Sequence, residues 1–140
     1  MKFPDVNVWL AAVWSRHSKH VVAKNWVDAE VDDLAFCRVT QMSFLRLLSN
    51  PAVTGSDALT RARAWDVYDQ LIADPRIHIV DEPAGLDAAW IRFSRHDDNS
   101  HLLWTDDYLA AFAHASNMEF VTFDRHYVRR YETVHVITLD

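Results

Sequence analysis

The feature that most restricts what this chain can become is the spacing of its short apolar runs. KFPDV (residues 2–6), LAFCRV (34–39), IHIV (77–80), EFVTF (119–123) and VHVIT (134–138) each have the length and the β-branched or aromatic content of a strand. Longer segments with helical periodicity separate them. A parallel strand pair needs a crossover of a dozen or more residues, usually a helix. The alternation therefore predicts an α/β fold: a three-layer α/β/α sandwich around a mostly parallel sheet covered on both faces. In such sheets, ligands bind beyond the carboxyl ends of the strands, where chain segments diverge.

The intervening segments carry their own signals. NVWLAAVW suits a helix, and Ser18 is placed to cap a second one in which Val22, Trp26 and Ala29 share a face. That helix runs into DAEVDD, which reads as a solvated end. Thr40 is placed to cap QMSFLRLL, which stops near Asn50-Pro51 because the residue before a proline resists the α region. After the turn TGS, Ser56 is placed to cap a long helix buried over a wide arc, with Ala64, Val67 and Leu71 on one face and Trp65, Tyr68 and Ile72 on the next. Asp74-Pro75 ends it. Leu86, Ala89, Trp90 and Phe93 form another helical stripe. The last long helix begins near Thr105 and stops at Asn117, which takes the left-handed turn where glycine is common.

At 140 residues the chain has the length of one domain, spanning 1–140. No apolar run approaches the roughly 18 residues needed to cross a bilayer. MKFPDVNVWLAA does not read as a secretory leader, since Asp5 interrupts its apolar region. Cys37 is the only cysteine, which excludes an intramolecular disulfide and cysteine-rich zinc sites and fits a reducing cytoplasm. The eight histidines are scattered, and the one close pair, His17 and His20, lies in a polar turn with no third ligand suggested. Fourteen basic against 20 acidic residues give a net charge of −6, which argues against coating nucleic acid through bulk charge. The basic residues nevertheless group along the sequence as Arg61 and Arg63, Arg92 and Arg95, and Arg125, Arg129 and Arg130. Taken singly, each is most simply a solvated surface group.

Three acids fall at equivalent places in this scheme. Asp5 ends the first strand, Asp124 follows EFVTF, and Asp106 lies in the first turn of a helix that begins on the same side of the sheet. If those strands are neighbours, the carboxylates converge and need a cation to offset their repulsion. Hard divalent ions such as Mg²⁺ or Mn²⁺ suit oxygen ligands of this kind. Taken one at a time, Asp5 and Asp124 are better explained as helix caps, and Asp106 and Asp107 as complements to a helix dipole; taken together, three acids at equivalent positions point toward a metal site.

FPDVNVWLAA at the start, LRLLSNP in the middle, and WTDDYLAA and VTFDRHY near the end resemble, in order and across almost the whole chain, the PIN-domain family, and within it the VapC-type toxins of toxin–antitoxin pairs. The family pattern D-x-x-L-A-A selects Asp106 rather than Asp107, and Asp5 and Asp124 match the first and last acids. One departure stands out: where E-x-x-R-x-x-x-N-P is expected, Ser43 replaces the Glu ahead of Arg46 and Asn50-Pro51.

The resemblance implies a Mg²⁺- or Mn²⁺-dependent endoribonuclease that inhibits translation by cleaving RNA. Asp5 and Asp106 would hold the ion, and Asp124 would act through water or a second ion. Ser43, Thr105 and Thr122 are supporting positions that can orient waters, with Thr122 and Thr105 equally readable as turn and cap residues. Arg46 either reaches substrate, braces the acids, or forms a buried ion pair with an Asp. The implied partners are RNA, a second copy of the chain, and a cognate antitoxin whose C-terminal segment covers the acidic site and sends an Arg toward it. The helix from Ser18 to Asp33 with Trp26 is a flank for that segment, and Trp9 or Trp14 are anchors if exposed. Two other classes fit the same residues: a PIN-like binding module without useful catalysis, and a metal-dependent phosphohydrolase acting on small phosphoesters.

Overall fold

The computed structural model describes residues 1–140. Five strands, β1 (Lys2–Pro4), β2 (Leu34–Phe36), β3 (Ile77–Ile79), β4 (Glu119–Thr122) and β5 (Val136–Thr138), form one wholly parallel sheet in the spatial order β3-β2-β1-β4-β5. The chain thus builds outward from β1 to one edge, then returns to lay β4 on the other side of β1. The β1/β4 boundary is the switch point at which such sheets open a crevice.

The helices are α1 (Val6–Val13), α2 (His20–Ala29), α3 (Arg38–Leu48), α4 (Pro51–Thr54), α5 (Arg61–Ile72), α6 (Leu86–Ser94), α7 (Trp104–Ser116) and α8 (His126–Arg130). They divide between the faces because successive strand residues point to opposite sides. Phe3, Ala35 and Phe120 meet Leu109, Phe112, Tyr127 and Leu86 on the side of α6, α7 and α8. Leu34 and Phe36 meet Trp9, Phe44, Ala64 and Tyr68 on the side of α1, α3 and α5. The expected three layers are present, and every strand lies within the run that predicts it.

Several local expectations are overturned. Ser18 caps nothing: α2 starts at His20 after Lys19, and its buried residues are Ala23 and Val27, while Val22 and Ala29 face solvent. α3 starts two residues ahead of Thr40, whose hydroxyl reaches back to accept the Cys37 N–H at 3.0 Å from inside the first turn. Ser56 lies in a 3₁₀ turn, Gly55–Asp57, and the cap of α5 is Thr60, whose Oγ1 accepts the Arg63 N–H at 3.2 Å. α5 buries a narrow stripe, Ala64 and Tyr68, and leaves Trp65 exposed. The end of α2 is only partly solvated, because Lys2 Nζ bonds Glu30 at 3.0 Å and Asp32 at 2.8 Å. α3 stops at Leu48, close to Asn50-Pro51 as expected, and Asn117 ends α7 at φ 53°; the sequence does not predict the short α4, which Asn50 caps with Pro51 in its first turn. No helix is long and apolar enough to cross a membrane.

Candidate active site

The β1/β4 register pairs Pro4 with Val121 and continues one step further, since the Asp5 N–H donates to the Val121 carbonyl at 2.8 Å. Asp5 is therefore held at the carboxyl edge by the same ladder that builds the sheet. It also caps α1. Its Oδ1 accepts the Val6 N–H at 2.7 Å, and its Oδ2 accepts the hydroxyl of Thr122 at 3.0 Å. The Thr122 oxygen in turn accepts the Asp124 N–H at 3.0 Å. One buried hydroxyl thus ties the first acid to the backbone of the last. Asp124 Oδ1 accepts the His126 N–H at 2.8 Å and so sets the direction in which α8 leaves the sheet.

Asp106 comes from the first turn of α7, half-buried, with Arg130 Nη1 at 3.4 Å from its Oδ2. Its neighbour Asp107 points inward: it is 7 % exposed and accepts a hydrogen bond from the buried Tyr131 hydroxyl. The two adjacent acids thus have different surroundings, Asp107 an internal hydroxyl and Asp106 a guanidinium. Tyr127, fully enclosed, lies beneath the cluster, close enough to Asp5 and Asp106 for their charges to act on its ring hydroxyl.

Burial raises the Asp5 carboxyl to about 6; the Thr122 hydroxyl and Val6 N–H oppose that rise, and the charges of Asp106 and Asp124 add to it. Asp106 is also raised, first by burial, with Arg130 opposing. Tyr127 is held far above the ordinary phenol range by burial and by the Asp5 and Asp106 charges, so it stays protonated. The only ion pair made by the three acids is the long Arg130 contact. The cluster is short of positive charge.

A hard divalent cation fits this donor set. The ligands are carboxylate oxygens with lone pairs remaining, in a place where burial and mutual repulsion disfavour the ionised state. No set of three or more acidic, histidine or cysteine side chains encloses a ready-made cage. Mg²⁺ ordinarily keeps several waters and uses one or two carboxylates together with substrate phosphate.

The supporting positions divide. Thr122 is at the centre, acting on Asp5 and Asp124 rather than on a water. Thr105 is exposed, makes no side-chain hydrogen bond and does not cap α7, which starts after Leu103. Ser43 is half-buried on α3, and no hydrogen bond joins it to the acids. Arg46 is exposed and pairs with no carboxylate, so the buried ion pair is excluded. The cation that does reach the acids is Arg130, which read from sequence alone is a solvated surface group. Its signal was spacing: Tyr127 and Arg130, three apart just after Asp124, share one face of a helical turn.

Residues 2–133 match the sequence profile of the PIN domain. The chain belongs to the PIN-domain family. Ribonuclease VapC41 of Mycobacterium tuberculosis is 40% identical over 126 residues, covering 86% of each chain. Ribonuclease VapC44 of the same organism is 31% identical over 129 residues, covering 86% of this chain and 84% of its own. Solved structures share the fold at lower identity. M. tuberculosis VapC20, described as a Sarcin-Ricin loop cleaving toxin, superposes with a TM-score of 0.69 at 17% identity over 92% of this chain and 94% of that one. VapBC2 from Rickettsia felis, bound to a promoter DNA fragment, gives 0.68 at 15% identity over 99% and 98%. This PIN domain is therefore of the VapC type.

Proposed function

We propose that the VapC-type PIN domain, acting as one unit over residues 1–140, is the toxin of a type II toxin–antitoxin pair. In this reading it is a Mg²⁺- or Mn²⁺-dependent endoribonuclease of the cytoplasm that hydrolyses RNA phosphodiester bonds and inhibits translation. The observation that carries the reading is the bond chain Asp5–Thr122–Asp124 at the sheet's switch point, faced by Asp106, in a chain 40% identical to a ribonuclease.

Asp5 and Asp106 are the principal ligands and Asp124 an outer one. A divalent ion, when bound, supplies charge neutralisation at the phosphate and a more acidic water. The protein's own contribution is orientation. The Val6 N–H and the Thr122 hydroxyl each occupy one lone-pair direction of the Asp5 carboxylate and leave the outward-facing ones free. Tyr127 cannot ionise and so adds no further negative charge beneath the acids. Arg130 balances Asp106 while the site is without substrate, and it is free to turn toward a phosphate, for which its planar fork is suited.

The antitoxin's C-terminal segment covers the same acids in this reading, presenting an Arg that competes for Asp5 and Asp106, and the toxin pairs with a second copy of itself. Trp9 is not an anchor for that segment, since it is fully buried and stacked on Phe36 at 4.4 Å. Trp14 is half-buried, with its indole N–H donated to Asp57 at 2.8 Å, so it is not a free anchor either.

Purified, partner-free protein incubated with total RNA should fragment it in Mn²⁺ and leave it intact in EDTA. Binding without metal-dependent cleavage would indicate a non-catalytic module, and turnover of small phosphoesters alone would indicate a different hydrolase.

A further inference from the structure

Beside Asp106 the structure opens a cavity of about 920 Å³ between the end of α6, the 95–103 loop and α8. Four guanidinium groups line it: Arg92, Arg95, Arg129 and Arg130. Of the protein's ion pairs, Arg130 enters one, with Asp106, whereas Arg92, Arg95 and Arg129 enter none. Arg92 and Arg129 hydrogen-bond only imidazole nitrogens, of His114 at 3.2 Å and His126 at 3.3 Å, Arg92 also lying 5.1 Å from the centre of the Phe93 ring, and Arg95 has no side-chain hydrogen bond. Asp98, Asp107 and Glu132 also line the cavity, but none forms an ion pair with these cations, and Asp107 is taken up by the Tyr131 hydroxyl. In a chain of net charge −6, three unneutralised arginines facing one concavity stand against the average.

The same wall carries Trp104, 56 % exposed, two residues before Asp106 on α7. Its partner Trp90 stands edge-on at 6.4 Å and donates its indole N–H to the Trp104 carbonyl at 3.2 Å, which fixes the backbone beneath the ring. Cations along a groove together with an open aromatic face is the combination that holds single-stranded nucleic acid: phosphates pair with the former and bases stack on the latter.

We propose that this cavity is a subsite for an unpaired RNA segment leaving the cleavage site. Arg92, Arg95 and Arg129 contact backbone phosphates, Trp104 stacks a base, and Arg130 marks the junction with the acids. The proposal rests on the nuclease reading and names where that substrate lies. A second occupant, an acidic peptide, would use the arginines but not the open indole face, and the indole favours RNA.

The test is binding of a short unstructured RNA oligonucleotide in EDTA, as a function of salt, followed by cleavage of the same RNA in Mn²⁺. R92A/R95A/R129A should bind at least about tenfold more weakly, and its log–log salt slope should fall by about 2, from roughly 0.7 per lost phosphate contact. Trp104→Ala should weaken binding by about fivefold or more with the slope unchanged. In cleavage, KM should rise in both variants and kcat should hold. Arg61→Ala/Arg63→Ala, exposed and outside the cavity, should match the wild type. Arg95→Glu alone is a milder second variant should the triple substitution fail to fold.

Wild-type binding by the triple variant, with normal cleavage, would overturn the subsite and leave the nuclease reading standing. Weakened binding with no cleavage by any form would do the reverse. Equal loss in the Arg61/Arg63 variant, or loss only of an acidic peptide's binding, would also overturn the subsite.

Discussion

Asp5 shows how one residue serves both the fold and the site. It caps α1, extends the β1/β4 ladder, and carries its carboxylate almost out of water, 8 % exposed. Capping takes one lone pair of Oδ1 and the Thr122 hydroxyl one of Oδ2, so the cap does not by itself exhaust what the carboxylate can accept. With its folded pKa at about 6, above the ordinary 3.8, the ionised form is disfavoured in the native state. Its contribution to stability is therefore complete below about pH 4 and is lost as pH rises through about 6. Asp5→Asn should raise metal-free stability at neutral pH by an amount on the order of 3 kcal/mol at most, and the gain should vanish near pH 4. Urea denaturation in EDTA at the two pH values measures it. Thr122→Val should cost about 1–3 kcal/mol by stranding the Asp5 oxygen and the Asp124 N–H, and Thr122→Ser should restore most of it. Ser43→Glu should tighten Mn²⁺ binding in calorimetric titration if residue 43 stands where the family's Glu does; an unchanged affinity would place it outside the site.

At the scale of elements, strands and helices were legible and their caps often were not. Each strand is a dense apolar run, while a hydroxyl near a helix start is common and marks a cap only when its own backbone is extended. Thr60 meets that condition at φ −65°, ψ 159°, and Ser56 does not, being inside a 3₁₀ turn. Thr60→Ala should therefore cost about 1 kcal/mol in thermal unfolding, and Ser56→Ala close to nothing. The stripe of α2 was misplaced by one residue because α2 packs on α1 rather than on the sheet, so a narrow face of Ala23 and Val27 is enough. α8 hides its function for a related reason. Five residues are too few for a periodic signal, yet they set Tyr127 under the acids and bring Arg130 beside Asp106.

For the molecule as a whole, Asp5 and Asp124 lie at the ends of adjacent strands because β1 and β4 pair directly, and Asp106 lies in the first turn of α7, the helix that leads into β4. That placement was legible because strand ends and helix starts sit at predictable edges of a parallel sheet. The flanking basic cavity was not, since it needs α6 and α8, far apart in the chain, to face one another across a loop. The account stands on the claim that the converged carboxylates are a divalent-ion nuclease centre. The most direct test is the rate of RNA cleavage in Mn²⁺ by correctly folded Asp5→Asn and Asp106→Asn, compared with wild type and with Asp124→Asn. Loss of cleavage in the first two and a smaller loss in the third is the predicted result; Asp5→Asn cutting RNA at the wild-type rate would contradict it.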